Sequence, residues 1–324
     1  MKINTPAPVV KKIGGLVAPF IGLILVISLF SLMPEVSERF LSLANIKSVA
    51  TQSVIVALSA LGMTFIIISG GIDLSAASNL ALSCVLVAYS INLGLSPLIA
   101  AFIGLLAGGL IGLVNGLLIT KLRLVPFIVT LGMMGIARGL AKWIARNQKI
   151  DAPMTWLNNL MIRIPRPSWL LLSPGIWVMI FLAIIMAIVL KKTIFGRQVF
   201  AIGSNELTAR LCGIRTDRVK IMIYTLSGLF CGLAGVMEFA RLTVGDPTVA
   251  MGLELDIIAA VVIGGGSLSG GEGSISGTLI GVFIMAFLRN GCTMKGWPNY
   301  FQEIIIGAII IIAVALDKFR HRQE

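Results

Sequence analysis

Residues 96–120 read "SPLIAAFIGLLAGGLIGLVNGLLIT", and none of them is charged. A helix of this length rises about 37 Å, enough to cross a hydrocarbon layer of about 30 Å. Apolar runs of similar length recur along the chain. Backbone groups in lipid must be satisfied within the chain, which leaves helices and closed barrels. The runs here are continuous rather than alternating, which argues against a barrel. The predicted fold class is an all-α integral membrane protein, read as a single transmembrane domain over residues 1–324.

Composition agrees. Hydrophobic residues make up 57% of the chain and charged ones 12%, with a mean hydropathy of +0.99. A soluble domain carries roughly 25% charged residues, so there is too little polar surface here to coat a globule. The net charge of +12 would suggest nucleic acid in a soluble protein. In a membrane protein, basic loops that set orientation account for it, and no nucleic-acid partner is expected. The first apolar run, Gly14 to Met33, is too long for a signal core and has no small-residue cleavage site, so it is expected to be retained. Cys84, Cys212, Cys231 and Cys292 are scattered, with neither metal-ligand spacing nor a disulfide framework. The one histidine, His321, lies in the tail. No metal, cofactor or catalytic residue is predicted, and the want of a His/Asp, Cys/His or metal constellation argues against an enzyme.

About ten spanning helices are expected, over 14–33, 48–69, 74–93, 96–120, 125–145, 175–191, 220–240, 255–267, 275–290 and 301–317. Basic residues gather at Lys2, Lys11 and Lys12, at Lys121 and Arg123, in the 191–220 loop, and at Lys318, Arg320 and Arg322. The excess of lysine and arginine marks these segments, and both termini, as cytoplasmic. Arg146, Lys149, Arg163 and Arg166 then fall outside, against the trend. "GGLIGLVNGLL" (108–118) resembles "GTLIGVFIMAF" (277–287), and each leads to a proline-containing turn and another apolar run. Two five-helix halves, 14–145 and 175–317, would be inverted repeats of the kind common in transporters. Chance likeness between Gly- and Leu-rich helices is the competing explanation.

The stretch "FGRQVFAIGSNELTARLCGIRTDRVK" (195–220) interrupts the apolar chain. Within it "NELTARLCG" reads as a short helix, capped by Ser204 or Asn205 and ended by Gly213. Leu207, Leu211 and Ile214 make an apolar stripe, and Glu206 and Arg210 pair at i,i+4 on another face. Such a helix can lie on the membrane or dock in a partner's groove.

Two further motifs carry chemistry. In "SGGIDLS" (69–75), Gly70 and Gly71 allow a sharp turn. Asp73 is an acid at a membrane edge that either caps the next helix or takes a direct part in gating or in a partner interface. "GGGSLSGGEGS" (264–274) is glycine-rich, but no GxxxxGK[ST] pattern occurs, so it is not a phosphate loop. It is read as a broken helix or a tight cytoplasmic turn, and the chain has no nucleotide site of its own. Asn79, Ser83, Asn115, Thr130, Thr225 and Ser227 lie inside apolar runs, where such groups glue helices together or line a pathway.

The 195–236 segment, "FGRQVFAIGSNELTARLCGIRTDRVKIMIYTLSGLFCGLAGV", resembles the cytoplasmic loop and following helix of the permease subunits of bacterial ABC sugar importers, of the ribose permease type. "MTFIIISGGIDLSAASNLAL" (63–82), "NGLLITKLRLVPFIVTLGMM" (115–134) and "ELDIIAAVVIGGGSLSGGEGSISGTLIG" (254–281) resemble that family in the same order. Residues 146–174 follow no such pattern. The resemblance implies a multi-pass permease in the bacterial cytoplasmic (inner) membrane, in contact with membrane lipid. It also implies ABC ATPase subunits inside, a periplasmic or extracytoplasmic substrate-binding protein outside, and a second permease subunit, identical or paralogous. On that basis Gly203, Asn205, Glu206, Ala209, Arg210 and Gly213 form the coupling element that the ATPase moves, and Glu272 lies near the ATPase. Asn115, Phe127 and Thr130 are the pathway candidates for a monosaccharide. Branched-chain amino acids or nucleosides are the alternative cargo. An ion-coupled secondary transporter is the alternative class, one that would have no need of a docking helix.

Overall fold

A computed structural model describes the backbone over residues 7–34, 36–165 and 170–321, and the side chains over the same ranges except 7–18, 313–314 and 316–321. Lys2, Arg166 and Arg322, and the side chains of Lys11, Lys12, Lys318, Arg320 and His321, therefore lie outside the described residues. The elements run in order α1 (Ala7–Ser31), α2 (Ser37–Phe40), α3 (Leu43–Ile68), α4 (Ala76–Asn92), α5 (Pro97–Lys121) and α6 (Pro126–Ile144). A strand β1 (Ile150–Asp151) and a 3-10 helix (Trp156–Met161) precede α7 (Pro174–Lys192), α8 (Ile194–Ser204), α9 (Glu206–Leu211) and α10 (Thr216–Leu242). Strand β2 (Val244–Gly245), α11 (Leu253–Ile263), α12 (Ile275–Met294) and α13 (Asn299–His321) complete the chain.

Local chemistry sets these boundaries. Pro97, Pro126 and Pro174 open α5, α6 and α7 at the first helical position, where a missing N–H costs nothing. The hydroxyls of Ser42, Ser96 and Ser274 accept the Asn45, Ile99 and Gly277 amides and cap α3, α5 and α12. Every expected apolar run is helical, with two differences. The 191–220 loop contains a further helix, α8. The 146–174 segment is also not featureless: β1 pairs antiparallel with β2, Ile150 opposite Gly245 and Asp151 opposite Val244. Among the described residues, α3, α5, α6, α7, α10 and α12 are long and apolar enough to cross a membrane. α4 and α11, with 17 and 11 residues, are shorter.

Burial separates core from rim. The most apolar stretch of α3 is 89% buried and that of α10 is 61% buried, against 28% for α5 and α6. α5 meets α10 by backbone rather than by side chain. Gly104, Gly108, Gly112 and Gly116 recur every fourth residue along one face of α5. A Cβ on Gly108 would lie 2.5 Å from the Gly228 carbonyl oxygen and the Gly232 Cα, and one on Gly116 would lie 2.8 Å from the Ile221 Cα. One on Gly112 would strike the Tyr224 carbonyl. Small residues let helices approach this closely where no hydrophobic force drives them together.

The connections fall on two faces. On one face the Gly271 amide donates to the Ile68 carbonyl at 2.8 Å, and Glu206 and Lys220 share a pocket with Arg123 and Pro126. On the other, Asn92 donates to the Asp151 carbonyl at 2.7 Å, and Arg138 donates to the Pro247 and Val249 carbonyls at 2.8 Å. Lys149 pairs there with Asp246 at 3.5 Å. Partial burial pushes the Asp246 carboxyl up, but the hydroxyl and amide of Thr248, together with Lys149, outweigh it and hold the group below the usual carboxylate range.

Gly112→Leu will cost more than the ~1–3 kcal/mol of an ordinary overpacked site, since a backbone carbonyl cannot step aside. Gly132 on α6 has no atom within 4 Å of an added Cβ, and Gly132→Ala is expected to be neutral or to stabilise by up to about 1 kcal/mol. Thermal unfolding of the purified protein in detergent distinguishes the two.

Candidate functional site

The 191–220 segment is built as an elbow and a knob. Thr193 caps α8 by accepting the Gly196 amide at 3.2 Å. Gly196 rests on the Val189 and Leu190 carbonyls, where no Cβ would fit, so α8 folds back tightly against α7. Val199 and Ile202 bury one face of α8, and Phe195 stacks on Phe65 of α3 at 5.9 Å. At its end Gly203 lies against the Ile68 carbonyl, and a Cβ there would be 2.6 Å from the Gly271 amide nitrogen. The ends of α8 and α3 and the 264–274 turn thus meet at one point, joined by the Gly271–Ile68 hydrogen bond. Gly270 and Gly271 have φ of +88° and +80°, a backbone that glycine adopts without steric cost.

Asn205 caps α9 by accepting the Thr208 amide at 2.8 Å. Lys220 donates to Glu206 at 2.6 Å. Arg210 reaches Glu206 at 3.5 Å and Asp217 at 3.3 Å, and it donates to the Thr216 hydroxyl at 3.0 Å. This network ties α9 to the start of α10. Ala209 is buried, Leu207 is 75% exposed and Leu211 is 88% exposed. Ile214 packs inward against the core, so the expected apolar stripe divides. Two leucines project outward and one isoleucine anchors. Gly213, at φ +85°, closes the helix in open space.

The 69–75 turn sits beside this junction. Gly70 has φ +79°, and Gly71 lies beneath the Tyr224 hydroxyl. Asp73 is buried and accepts the Ser75 amide at 2.8 Å and the Ser75 hydroxyl at 2.6 Å. Asn115 donates to the same hydroxyl at 2.9 Å. Asp73 closes the turn that leads into α4, whose own N-terminus has no side-chain cap, and is joined through Ser75 to α5. Thr130 is buried and donates to the Pro126 carbonyl at 3.0 Å and, at 3.4 Å, to the Ile72 carbonyl. Phe127 is 48% exposed on the outside of the bundle. Asn115 and Thr130 brace the turn, and Phe127 faces away from it.

A polar concavity lies toward the other face, between α3, α10, α11, α12 and α13. It has a volume of about 480 Å³. Two ion pairs line it. Arg241 clasps Glu238 at 2.6 and 3.0 Å, and Arg289 clasps Asp256 at 2.7 and 3.0 Å. The carboxylates are 5% and 2% exposed, while the arginines are 37% and 40% exposed toward the cavity. None of these four residues stood out in the sequence reading. Each was visible as a charge inside an apolar run, a marker of function in membrane helices. Only Glu238 and Arg241, at i,i+3, were close enough in sequence to be paired.

The family model for "Branched-chain amino acid transport system / permease component" matches residues 45–314. The chain is 42% identical over 310 residues to the ribose import permease protein RbsC of Bacillus subtilis (strain 168), covering 96% of this chain and 94% of that protein. It is 37% identical to RbsC of Escherichia coli (strain K12), over 91% of this chain and 92% of that protein. To the L-arabinose ABC transporter permease protein AraH of Azospirillum brasilense it is 38% identical, over 91% and 86%. No solved structure matches the chain.

Removing one partner of a clasped pair leaves a poorly solvated charge. Asp256→Asn is expected to lower stability by about 3 kcal/mol, the low end for a broken buried pair because Arg289 keeps some contact with water. The volume-matched double change Asp256→Leu with Arg289→Met should cost less than the single one. Thermal unfolding of the three proteins checks the order.

Proposed function

The chain belongs to the family of permease components of branched-chain amino acid transport systems, and on that premise we propose that it is the transmembrane permease subunit of an ABC importer for a monosaccharide. The named relatives import ribose and L-arabinose, and their likeness spans nearly the whole chain. The observation that carries the coupling role is α9: two exposed leucines on a short helix braced by charge pairs to α10. A surface of that kind suits insertion into a groove of an ATPase subunit. Gly203, Asn205, Glu206, Ala209, Arg210 and Gly213 hold the segment in shape, and Leu207 and Leu211 make the contact. Movement passes through Gly203 to Ile68, and the Gly70–Gly71–Asp73 turn is the gate element beside that junction. An extracytoplasmic binding protein delivers the sugar to the opposite face, and a second permease subunit completes the membrane unit.

The proposal includes ten spans in the cytoplasmic membrane, with both termini inside. α5 and α12 are the fourth helices of the halves 14–145 and 175–317. α5 sets its glycines against α10, the second helix of the other half. In α12, Gly277 and Gly281 lie against the Gly264 and Ala260 carbonyls of the adjoining segment, and Thr278 bonds to Thr64 of α3 at 2.8 Å. This exchange between halves supports the inverted repeat. A branched-chain amino acid is the second reading of the cargo, favoured by the family description itself. Uptake measured with competing pentose and leucine separates the two.

Leu207→Glu and Leu211→Glu should leave the folding of the permease unchanged, because both side chains are exposed, and should abolish ATP-driven uptake and co-purification of the ATPase. Normal uptake by both variants would overturn the coupling role. Cys212 is exposed beside α9 and is expected to resist impermeant thiol reagents in intact cells, whereas Met154→Cys, on the other face, should label. In proteoliposomes, uptake should require the ATPase and the binding protein and should survive a protonophore. A chain that accumulated sugar alone and lost that ability with the protonophore would be a secondary carrier.

A further inference from the structure

The bases of α6 and of the turn after it divide into two kinds. Arg138 donates to the Pro247 and Val249 carbonyls, and Lys149 pairs with Asp246. Among the described residues, Lys142 and Arg146 have no ion-pair partner. Both line a concavity of about 830 Å³ between the ends of α4 and α6, together with Leu86, Tyr89, Trp143 and Asn147. We propose that this concavity binds the headgroup of one anionic phospholipid, whose acyl chains run along α6 over Leu140 and Ile136. The inference goes beyond the importer reading and rests only on the chain being a membrane protein.

Charge favours an anion there. The carbonyl end of α6 carries about half a negative elementary charge, so about one and a half positive charges stay unmatched. Arg146 and Asn147 close the helix in left-handed backbone, at φ +50° and +58°, and their amides donate to the Trp143 and Lys142 carbonyls at 3.1 and 2.7 Å. Asparagine visits this conformation readily and arginine does so at a cost, so the turn alone gives no reason for a base at 146. On the proposed orientation Arg146 lies outside, against the trend of lysine and arginine, and a lipid phosphate supplies its missing counter-charge. The surroundings favour a lipid over a free anion. Trp143 is 77% exposed and Tyr89 is also exposed, and such amphipathic rings gather at headgroup level. Ile136, Leu140 and Trp143 are all exposed at positions i, i+4 and i+7 of α6, so an apolar track leads away from the concavity along one helix face. A soluble anion can meet the two bases but not the track, whereas a phospholipid meets both. The Asn147 amide offers a donor and an acceptor to a hydroxyl of a glycerol headgroup. Basic pockets between membrane helices hold anionic headgroups by the same combination.

The full chain, purified in detergent, is titrated with dioleoyl phosphatidylglycerol or dioleoyl phosphatidylcholine, and bound lipid is counted by native mass spectrometry. One phosphatidylglycerol should bind ahead of all others, and phosphatidylcholine should not displace it. A base near an anionic lipid is worth about fivefold in affinity, so Lys142→Gln combined with Arg146→Gln should weaken this first site about twenty-five-fold. Neither base is paired within the fold, so the thermal unfolding of the double variant should match that of the wild type. Lys149→Gln removes a base that already has its acid and should leave lipid binding unchanged. Equal binding of the two lipids, or equal weakening by Lys149→Gln and by the double change, overturns the inference. Glycerol 3-phosphate binding as tightly as the lipid would make this a site for a soluble anion and overturns it too. In the importer assembled with its ATPase and binding protein, the lipid should be retained on each permease copy. Its loss on assembly would mean that another chain covers the concavity, which sinks the lipid site and leaves the importer reading standing.

Discussion

The fold depends on one contact, the meeting of α5 and α10 at backbone distance. Lipid tails are as apolar as leucine, so burying apolar side chains between helices gains little in a membrane. What remains is close packing and hydrogen bonding. Glycine every fourth residue on α5 opens a groove that receives Tyr224, Gly228 and Gly232 of α10. Gly235 of α10 then lies against the Leu80 carbonyl of α4, and Gly62 of α3 lies against Ser227. α10 is thereby fixed on three neighbours by contacts that have no side chain to yield.

That rigidity gives α9 its mechanical meaning. α10 begins three residues after the glycine that ends α9, and Lys220 and Asp217 in its first turns hold Glu206 and Arg210. On the coupling role proposed above, a push on Leu207 or Leu211 would pass to α10 through the ion pairs and to α3 through Gly203, Gly271 and the Ile68 carbonyl. Both helices line the cavity near the other face, α3 with Gln52 and Ser53, α10 with Glu238 and Arg241. Surface ion pairs alone are weak. Here they act with the covalent turn at Gly213 and the packing of Ala209.

The helices were legible because their apolar runs are continuous, and prolines or capping serines open α3, α5, α6, α7 and α12. α8 was not, since "IFGRQVFAIGS" mixes glycines and polar groups, and its helix is held by packing of Val199 and Ile202 against the bundle rather than by propensity. The β1–β2 ribbon was also out of reach. Two residues in each strand give no alternation to read, and the partners are about ninety positions apart. The glycine period of α5 stands in the sequence, yet it has no meaning until α10 is known to be the partner. Gly203, Asn205, Glu206, Ala209, Arg210 and Gly213 were named by resemblance, and close packing, a cap, ion pairs and a tight turn give each a place in the fold. Polarity within an apolar run does not tell a residue that braces a turn, such as Asn115, from one that lines a cavity. Asp256 and Arg289 lie on separate helices, and only the tertiary fold makes them a pair.

The clasped acids also bear on how the cycle is driven. A proton-coupled carrier needs a carboxyl that exchanges its proton as the protein changes state. Glu238 and Asp256 each accept two hydrogen bonds from an arginine, so protonating either would cost its clasp and leave a guanidinium without its partner. They are suited to hold a fixed pattern of donors and acceptors, not to relay protons. Asp73 is likewise committed to Ser75 and the cap of the 69–75 turn. On the importer reading, the free energy of transport therefore arrives as a contact whose strength differs between states, and α9 is the element proposed above to receive it.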